Sequence, residues 1–203
     1  MGAMPTAARS GFRDRIQAWV GAAVGRPLTW VVLIALIAAW PISWALRTPV
    51  PPRLPVLGTV PPFELTAANG GRFGSKDLIG RVWLASFIFT RCQTVCPVIT
   101  RQMTRIQART RNLEPAFHLV SITVDPGFDD PSRLAAYARE HRASPRMWTF
   151  LTGPVDTVRD AVSRGTDLVL VDSQGRIRAR YDPEDAGSVE RVVRDAALLV
   201  NRG

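Results

Sequence analysis

Residues 82–97 read Val-Trp-Leu-Ala-Ser-Phe-Ile-Phe-Thr-Arg-Cys-Gln-Thr-Val-Cys-Pro. The apolar run Val82–Phe89 has the length and the β-branched and aromatic content of a strand that is buried on both faces. Cys92 and Cys96 come soon after it, and the residues that follow Pro97 carry apolar side chains at helical spacing. The stretch therefore predicts a buried strand that leads through two cysteines into a helix, at the edge where α/β sheets hold their chemistry.

The rest of this domain alternates between strand and helix patterns. The expected elements are a hairpin with a glycine turn over 63–73, helices over 98–114, 131–142, 154–164 and 187–201, and strands over 117–124, 146–151, 168–171 and 177–181. Gly165 is placed to cap the helix 154–164, and residues 173–176 form the turn between the last two strands. This order predicts an α/β, thioredoxin-like fold with a central sheet flanked by helices.

A transmembrane anchor is predicted over residues 28–46, which carry no charged side chain. About twenty apolar residues in a helix span the roughly 30 Å hydrocarbon core of a membrane. Trp30 lies near one end of this run, and Trp40 and Trp44 lie near the other, as interfacial anchors do.

The flanking segments predict the topology. The leader 1–27 has four arginines against Asp14, so the N-terminus is expected in the cytoplasm and the domain 63–203 on the periplasmic side of the inner membrane. Residues 47–62 hold six prolines and are expected to form an extended linker. A cleavable signal peptide is the competing interpretation, with a small-x-small site at 43–45, but the long apolar run and the long leader favour an uncleaved anchor.

Composition excludes several classes of function. The formal net charge is +9, and Lys76 is the only lysine among 26 basic residues, which indicates genomic base composition. No basic helix or aromatic platform accompanies the charge, so no nucleic-acid partner is predicted. Two cysteines exclude a disulfide-rich scaffold, and two histidines exclude a site of several imidazoles. Nucleotide and hydrolase motifs are absent from the sequence.

Cys92 and Cys96 are the candidate site residues. The unpaired N–H groups and the dipole of a helix N-terminus lower a thiol pKa, and Arg91 adds a cation nearby. Two thiolates on one helical turn can exchange with disulfides or hold a soft ion such as Cu(I). In an exported compartment they can also form a plain structural disulfide, Cys92–Cys96. All three hypotheses stay open on the residues alone.

Four motifs give the chain a family resemblance. They are Phe87-Ile88-Phe89-Thr90-x-Cys92-x-x-x-Cys96-Pro97, Val124-Asp125-Pro126-x-x-Asp129-x-Pro131, Leu151-Thr152-Gly153 and Leu170-Val171-Asp172-x-x-Gly175-Arg176. In this order, over about residues 60–200, they resemble the SCO/SenC family of membrane-anchored copper and thiol proteins. The resemblance implies a thioredoxin-like fold, a place on the outer face of the membrane, and a part in assembling the CuA centre of cytochrome oxidase.

The family's copper ligands are two cysteines and one histidine. The cysteines carry over to Cys92 and Cys96, but the position of the histidine is occupied by Arg164, and the segment before it is short. A guanidinium cannot coordinate copper. If Arg164 lies near the cysteines, it stabilises thiolate and favours thiol–disulfide exchange. The alternative is that Arg164 is only an arginine at a helix end.

No other residue is a strong substitute for that histidine. His118 is expected as a surface or strand-edge residue at the end of its strand away from the cysteines, and His141 at a helix end, where it interacts with the dipole. Met103 and Met147 are expected in the core. Asp125 lies on the cysteine side and is favoured as a cap over a proton acceptor, and the sequence Asp129-Asp130-Pro131 marks the start of the following helix.

The residues favour thiol–disulfide exchange through Cys92 and Cys96, which makes the chain a candidate thiol–disulfide oxidoreductase, and the family resemblance implies that this exchange serves CuA assembly. The partner is then an oxidase subunit carrying CuA, or another periplasmic thiol or copper protein. The alternative is a copper chaperone that binds Cu(I) in preference to Cu(II), with a third ligand from water, a partner or His141. The second alternative is a non-catalytic module with a structural disulfide.

Overall fold

The computed structural model describes residues 27–47, 54–154 and 167–201, and it divides the chain into two compact units, Met1–Pro52 and Arg53–Gly203. The helices are α1 (Pro27–Arg47), α2 (Cys96–Arg109), α3 (Pro131–Glu140) and α4 (Ser188–Val200). The strands are β1 (Gly58–Thr59), β2 (Glu64–Ala67), β3 (Arg72–Gly74), β4 (Val82–Ile88), β5 (Phe117–Thr123), β6 (Trp148–Thr152), β7 (Leu168–Val171) and β8 (Arg176–Tyr181). The predicted helix 154–164 and its cap Gly165 lie almost entirely outside the described residues.

Helix α1 covers the predicted apolar run 28–46. Its apolar side chains, among them Leu36, Ile37 and Trp40, are exposed. Counted over the described side chains, the structure contains no helix with the length and apolar character needed to cross a membrane. The predicted leader, apart from Pro27, lies outside the described residues.

One sheet organises the second unit. Its described strands run in the order β1-β8-β7-β4-β5-β6-β2-β3. Strands β4, β5 and β6 are parallel, whereas β7 and β8 pair antiparallel on one side and the β2–β3 hairpin closes the other. This mixed sheet confirms the predicted thioredoxin-like α/β fold.

The parallel pairing of β4 with β5 positions the candidate site. Ile88 is opposite Thr123, so the two strands end at the same edge of the sheet. The loop after β4 carries Cys92, and the loop after β5 carries Asp125 and Asp129. Parallel pairing therefore brings together residues that are more than thirty positions apart in the sequence.

Both faces of the sheet are covered. Alternate residues of each strand point to opposite faces, so each strand contributes to both packed layers. One face packs on helices, and its buried residues include Leu84, Leu119, Ile99, Met103, Ile106, Leu134, Val189, Val192 and Ala196. The other face is covered by the N-terminal part of the unit, with Trp83, Ala85 and Val120 packed near Val60, Leu65 and Leu78. Full burial of β4 explains its nearly continuous apolar sequence, and β5 is equally buried although it includes His118, Ser121 and Thr123.

The described part of the predicted linker 47–62 packs on the sheet. Leu57 donates its backbone N–H to Ile177 at 2.8 Å, and Val60 donates to Gly175 at 2.9 Å. Strand β1 lies between them, and Val60 is buried. The structure therefore differs here from the predicted extended spacer. An edge strand can form in this proline-rich stretch because the residues facing its neighbour keep their N–H groups.

His118 is buried in the sheet, and this corrects its placement at an exposed strand edge. It lies at the end of β5 away from the cysteines, as predicted, but only 4% of its surface is exposed. Its Nε2 lies 2.8 Å from Thr149 Oγ1, and its ring stacks on Phe73 with centroids 5.9 Å apart. Burial, with a smaller contribution from the positive charge of Arg81, lowers the pKa of His118 to about 4.

We expect His118 to make the domain sensitive to acid. Below pH 6.5 the unfolded chain takes up a proton at His118 that the folded chain refuses until about pH 4, so stability falls as the pH drops through this range. The loss is about 3 kcal/mol. Urea unfolding of the wild type and of His118→Gln from pH 7.5 to pH 4 measures it as a difference in slope. Parallel stability curves for the two proteins would contradict the prediction.

Candidate thiol site

The two cysteines lie where β4 passes into α2. Helix α2 begins at Cys96, and its N-cap residue Val95 has no polar side chain to accept a hydrogen bond. The sulfur of Cys92 takes this place, because the backbone N–H of Cys96 points at Cys92 Sγ at 3.4 Å. Cys92 Sγ also lies 3.7 Å from Thr94 Oγ1. The sulfur of Cys92 therefore caps the helix, in line with the predicted position of the cysteines at a helix N-terminus.

The environment of Cys92 favours its thiolate. Partial burial raises the pKa of Cys92, but hydrogen bonds from the Cys96 side chain and backbone and from Thr94 outweigh it and lower that pKa to about 7. Both cysteines are free thiols in this structure. Cys92 is half-buried, so its sulfur is within reach of a partner. A thiol of this pKa is substantially ionised at neutral pH, as nucleophilic cysteines are.

The environment of Cys96 favours its neutral thiol. Cys96, the first residue of α2, is only 2% exposed and packs into the hydrophobic core. Burial raises its pKa to about 12, and the hydrogen bond to Cys92, the charge of Cys92 and the charge of Asp129 act in the same direction. The two sulfurs are therefore unequal, with one nucleophile near the surface and one protected thiol behind it.

The guanidinium of Arg91 is held by Asp125 and Phe128. Its Nη2 lies 2.6 Å from Asp125 Oδ2, and its guanidinium stacks on the ring of Phe128, 4.6 Å from the centroid. The sequence predicted Arg91 as a cation beside the cysteines, but the main causes of the lowered pKa of Cys92 are hydrogen bonds from Cys96 and Thr94. The same contact changes the interpretation of Asp125, whose carboxylate pairs with Arg91, while its backbone carbonyl accepts from the N–H groups of Phe128 and Asp129.

Asp129 is the fully buried acid of the site. Its carboxylate accepts hydrogen bonds from the N–H of Thr90 at 3.0 Å, from the hydroxyl of Thr90 and from the hydroxyl of Thr123. Asp130 performs the helix-start function that the sequence predicted, since its Oδ1 accepts from Arg133 N at 2.8 Å at the beginning of α3. The two adjacent aspartates thus have different tasks.

The other candidate ligands lie away from the cysteines. His141 is the C-cap of α3, as predicted, and it packs on Tyr137 with ring centroids 4.4 Å apart. Its carbonyl lies beside Thr104, about 12 Å along α2 from Cys96. Met103 and Met147 are buried in the core, as predicted. His118 lies at the end of β5 that is far from the cysteines.

Arg164 lies outside the described residues, so its expected place near the cysteines stays a prediction. Within the ranges the structure describes, no three His, Cys, Asp or Glu side chains are grouped as metal ligands. A metal ion at this site would therefore rely on the two thiolates, with further ligands from elsewhere.

Sequence reasoning missed Thr90, Thr123 and the bridging role of Asp129. A signal was present, since each threonine ends or follows a strand at the edge where Asp129 is expected. Thr90 and Thr123 are short hydroxyl donors that can reach a buried carboxylate from both loops. The signal was masked because an aspartate before Asp130-Pro131 also fits a helix start.

Comparisons with known proteins identify the family of this chain. The SCO1/SenC family model matches residues 55–165, which include both cysteines, Asp125 and Asp129. The chain belongs to the SCO1/SenC family. The resemblance found in the sequence motifs is thereby confirmed.

Individual relatives define how far the likeness extends. The SCO1 protein homolog of Bacillus subtilis is 38% identical over 46% of this chain, and the match spans 49% of that protein's length. A protein of Stutzerimonas stutzeri described as a putative copper-binding protein is 30% identical over 71% of this chain and 69% of its own length. The solved structure of BsSco, described as a member of the Sco family of cytochrome c oxidase assembly proteins with a disulfide switch, has a TM-score of 0.65 at 26% identity. That match covers 73% of this chain and 98% of the solved one.

The inequality of the two thiols in this SCO1/SenC protein can be measured by alkylation. In Cys96→Ser, which keeps a hydroxyl donor beside Cys92, we expect iodoacetamide to react with half-maximal rate near pH 7. In Cys96→Ala, which removes that donor, we expect the midpoint to rise. In Cys92→Ser, Cys96 should resist alkylation until well above pH 9. Mass spectrometry of quenched samples gives the rates, and a common midpoint near pH 9 for both thiols would contradict the unequal environments.

Proposed function

We propose that this protein exchanges thiols and disulfides through Cys92 and Cys96 in the assembly of the CuA centre of cytochrome oxidase. The observation that carries the proposal is the inequality of the two sulfurs at the start of α2. Cys92 is half-buried with a pKa of about 7, and Cys96 is buried with a pKa of about 12. An accessible nucleophile backed by a protected second thiol is the arrangement that a dithiol reductant needs.

The exchange runs in two steps. The thiolate of Cys92 attacks a disulfide of the partner, forms a mixed disulfide and displaces one partner thiolate, which takes up a proton. The thiol of Cys96 then loses its proton and attacks Cys92 Sγ, which forms the Cys92–Cys96 disulfide and releases the second partner thiolate, which is also protonated. The partner gains two electrons and two protons, and an external dithiol must reduce the chain again.

The same contacts give the second step its timing. The hydrogen bond to Cys92 and the negative charge of Cys92 both contribute to the high pKa of Cys96. Once Cys92 is bound in a mixed disulfide, its charge is gone and its sulfur is a weaker acceptor, so both contributions fall. Cys96 therefore becomes easier to ionise at the point in the cycle where its thiolate is required.

The context comes from the family. BsSco is described as a cytochrome c oxidase assembly protein with a disulfide switch, and we extend that role to this chain. The partner in this proposal is the oxidase subunit that carries CuA, or another periplasmic thiol or copper protein. Its cysteines must be reduced before they can take up copper, which is the chemistry that Cys92 and Cys96 offer.

The proposal places the domain at the periplasmic surface of the inner membrane. Its support is the uncharged run 28–46, the arginine-rich leader before it and the three tryptophans near its ends. Held there by the anchor, the cysteines would meet membrane-bound partners at high local concentration.

The redox potential of the cysteine pair tests the proposal. We expect a reduction potential above about −300 mV at pH 7, because the pair has to cycle between dithiol and disulfide. A structural disulfide has a potential below this value. Equilibration of the full chain with glutathione or thioredoxin buffers, followed by acid quenching and alkylation of free thiols, measures it. Cys92→Ser/Cys96→Ser provides the baseline, and a potential below −300 mV would instead support a structural disulfide.

Cu(I) transfer is the second candidate function, with copper as the cargo. The Stutzerimonas stutzeri relative is described as copper-binding, and the thiolate of Cys92 beside Cys96 is a suitable donor for this soft ion. Two thiolates suffice for linear Cu(I), whereas Cu(II) depends more on the family's histidine, whose position here holds Arg164. The residues thus favour Cu(I) over Cu(II).

Titration with Cu(I) tests this candidate. For the reduced chain, oxygen-free and in competition with a Cu(I) chelator, we expect one ion per chain, bound through both cysteines. Cys92→Ser and Cys96→Ser should each abolish the tight binding, and His141→Ala should leave it unchanged because the His141 backbone lies beside Thr104, about two turns of α2 from Cys96. Binding no stronger than that of the double serine variant would remove the copper function and leave the thiol chemistry standing.

A further inference from the structure

A buried carboxylate ties the cysteine loop to the sheet. Asp129 has no exposed surface, and both of its oxygens accept hydrogen bonds. Oδ1 accepts from the hydroxyl of Thr90, while Oδ2 accepts from the N–H of Thr90 and the hydroxyl of Thr123. Thr90 lies two residues before Cys92, and Thr123 ends β5. The contact therefore bridges the loops that follow two neighbouring strands.

The start of α3 does not account for this carboxylate. Asp130 caps that helix with its own side chain, and the backbone N–H of Asp129 donates to the carbonyl of Asp125 at 2.9 Å. The side chain of Asp129 is thus committed to Thr90 and Thr123. Hydrogen bonds to an ionised acceptor are about twice as strong as neutral ones, and burial protects them from competition by water.

We infer that Asp129 is a positioning residue, which holds the loop from Thr90 to Cys92 in the conformation from which Cys92 and Cys96 form their disulfide. The inference rests on the proposed function, since it assigns Asp129 a part in the thiol exchange. The loop is fixed at one end by Thr90 on Asp129 and at the other by Cys92 Sγ on the first N–H of α2. Disulfide formation tolerates only a narrow range of geometries, so this fixation raises the effective concentration of one sulfur at the other.

The hydrogen bonds of Asp129 to Thr90 and Thr123, here called the latch, matter most in the reduced protein. In the oxidised protein the disulfide itself restrains Cys92, whereas in the reduced protein only hydrogen bonds restrain it. Loss of the latch therefore loosens the dithiol more than the disulfide, and the equilibrium moves toward the dithiol. Asparagine has a single acceptor oxygen, so Asp129→Asn cannot serve all three donors of Thr90 and Thr123.

The experiment measures the equilibrium between the reduced chain and glutathione disulfide, which yields the Cys92–Cys96 disulfide and two molecules of reduced glutathione. For Asp129→Asn and Thr90→Val we expect the equilibrium constant to fall about tenfold or more, which raises the reduction potential by about 30 mV for each factor of ten. Thr90→Ser keeps the hydroxyl donor and should stay within about twofold of the wild type. Alkylation and mass spectrometry at pH 7 on the full chain give the populations.

Asp172→Asn is the matched control. Asp172 is also a buried aspartate with several donors, including the N–H groups of Gln174 and Arg176, but it follows β7 at the opposite edge of the sheet. Its variant should lose stability in urea and leave the thiol equilibrium unchanged.

Two results would overturn the inference. In the first, Asp129→Asn loses stability as Asp172→Asn does but keeps the wild-type equilibrium constant. In the second, Thr90→Ser falls as far as Thr90→Val, a comparison that remains decisive if Asp129→Asn does not fold. A wild-type potential below about −300 mV would count against the proposed function alone, because the ratio between variant and wild type still reports on Asp129.

Discussion

The first N–H groups of a helix have no carbonyl partners within that helix, and the chemistry of this protein depends on how α2 satisfies them. Val95 at the N-cap offers no oxygen, and the sulfur of Cys92 accepts from Cys96 N instead. The same contact lowers the pKa of Cys92 and fixes its sulfur beside that of Cys96. One hydrogen bond thus connects the folding of α2 with the reactivity of the thiol that precedes it.

Much of this arrangement could be predicted from the sequence, because the signals are local. The apolar run from Val82 predicts a strand buried on both faces, and Pro97 with the apolar spacing after it predicts the helix that Cys96 begins. The hairpin around Gly70 and the turn at Gly175 follow from residues that adopt positive φ. These elements place the two cysteines without any knowledge of the sheet order.

What the sequence did not predict depends on contacts between distant segments. Strand β1 was hidden in a proline-rich stretch, because its edge position on β8 is fixed by partners more than a hundred residues away. His118 was expected at an exposed strand edge, yet Phe73 from the β2–β3 hairpin covers it. The pattern Asp129-Asp130-Pro131 predicted a helix start. This is correct for Asp130, but it does not account for the buried side chain of Asp129. In each case a tertiary contact decides the role of a residue whose local pattern allows several.

The two candidate functions share one electrostatic principle. The thiol of Cys96 is kept neutral by burial, by the charge and hydrogen bond of Cys92 and by the charge of Asp129. An electrophile at Cys92 removes the negative charge there, whether it is a partner's disulfide sulfur or a Cu(I) ion. Either one lowers the cost of ionising Cys96, whose sulfur can then form the disulfide with Cys92 or act as the second ligand of Cu(I). In both proposed functions the second thiol is therefore engaged after the first has reacted, and the choice between disulfide and copper lies with the partner that reaches Cys92.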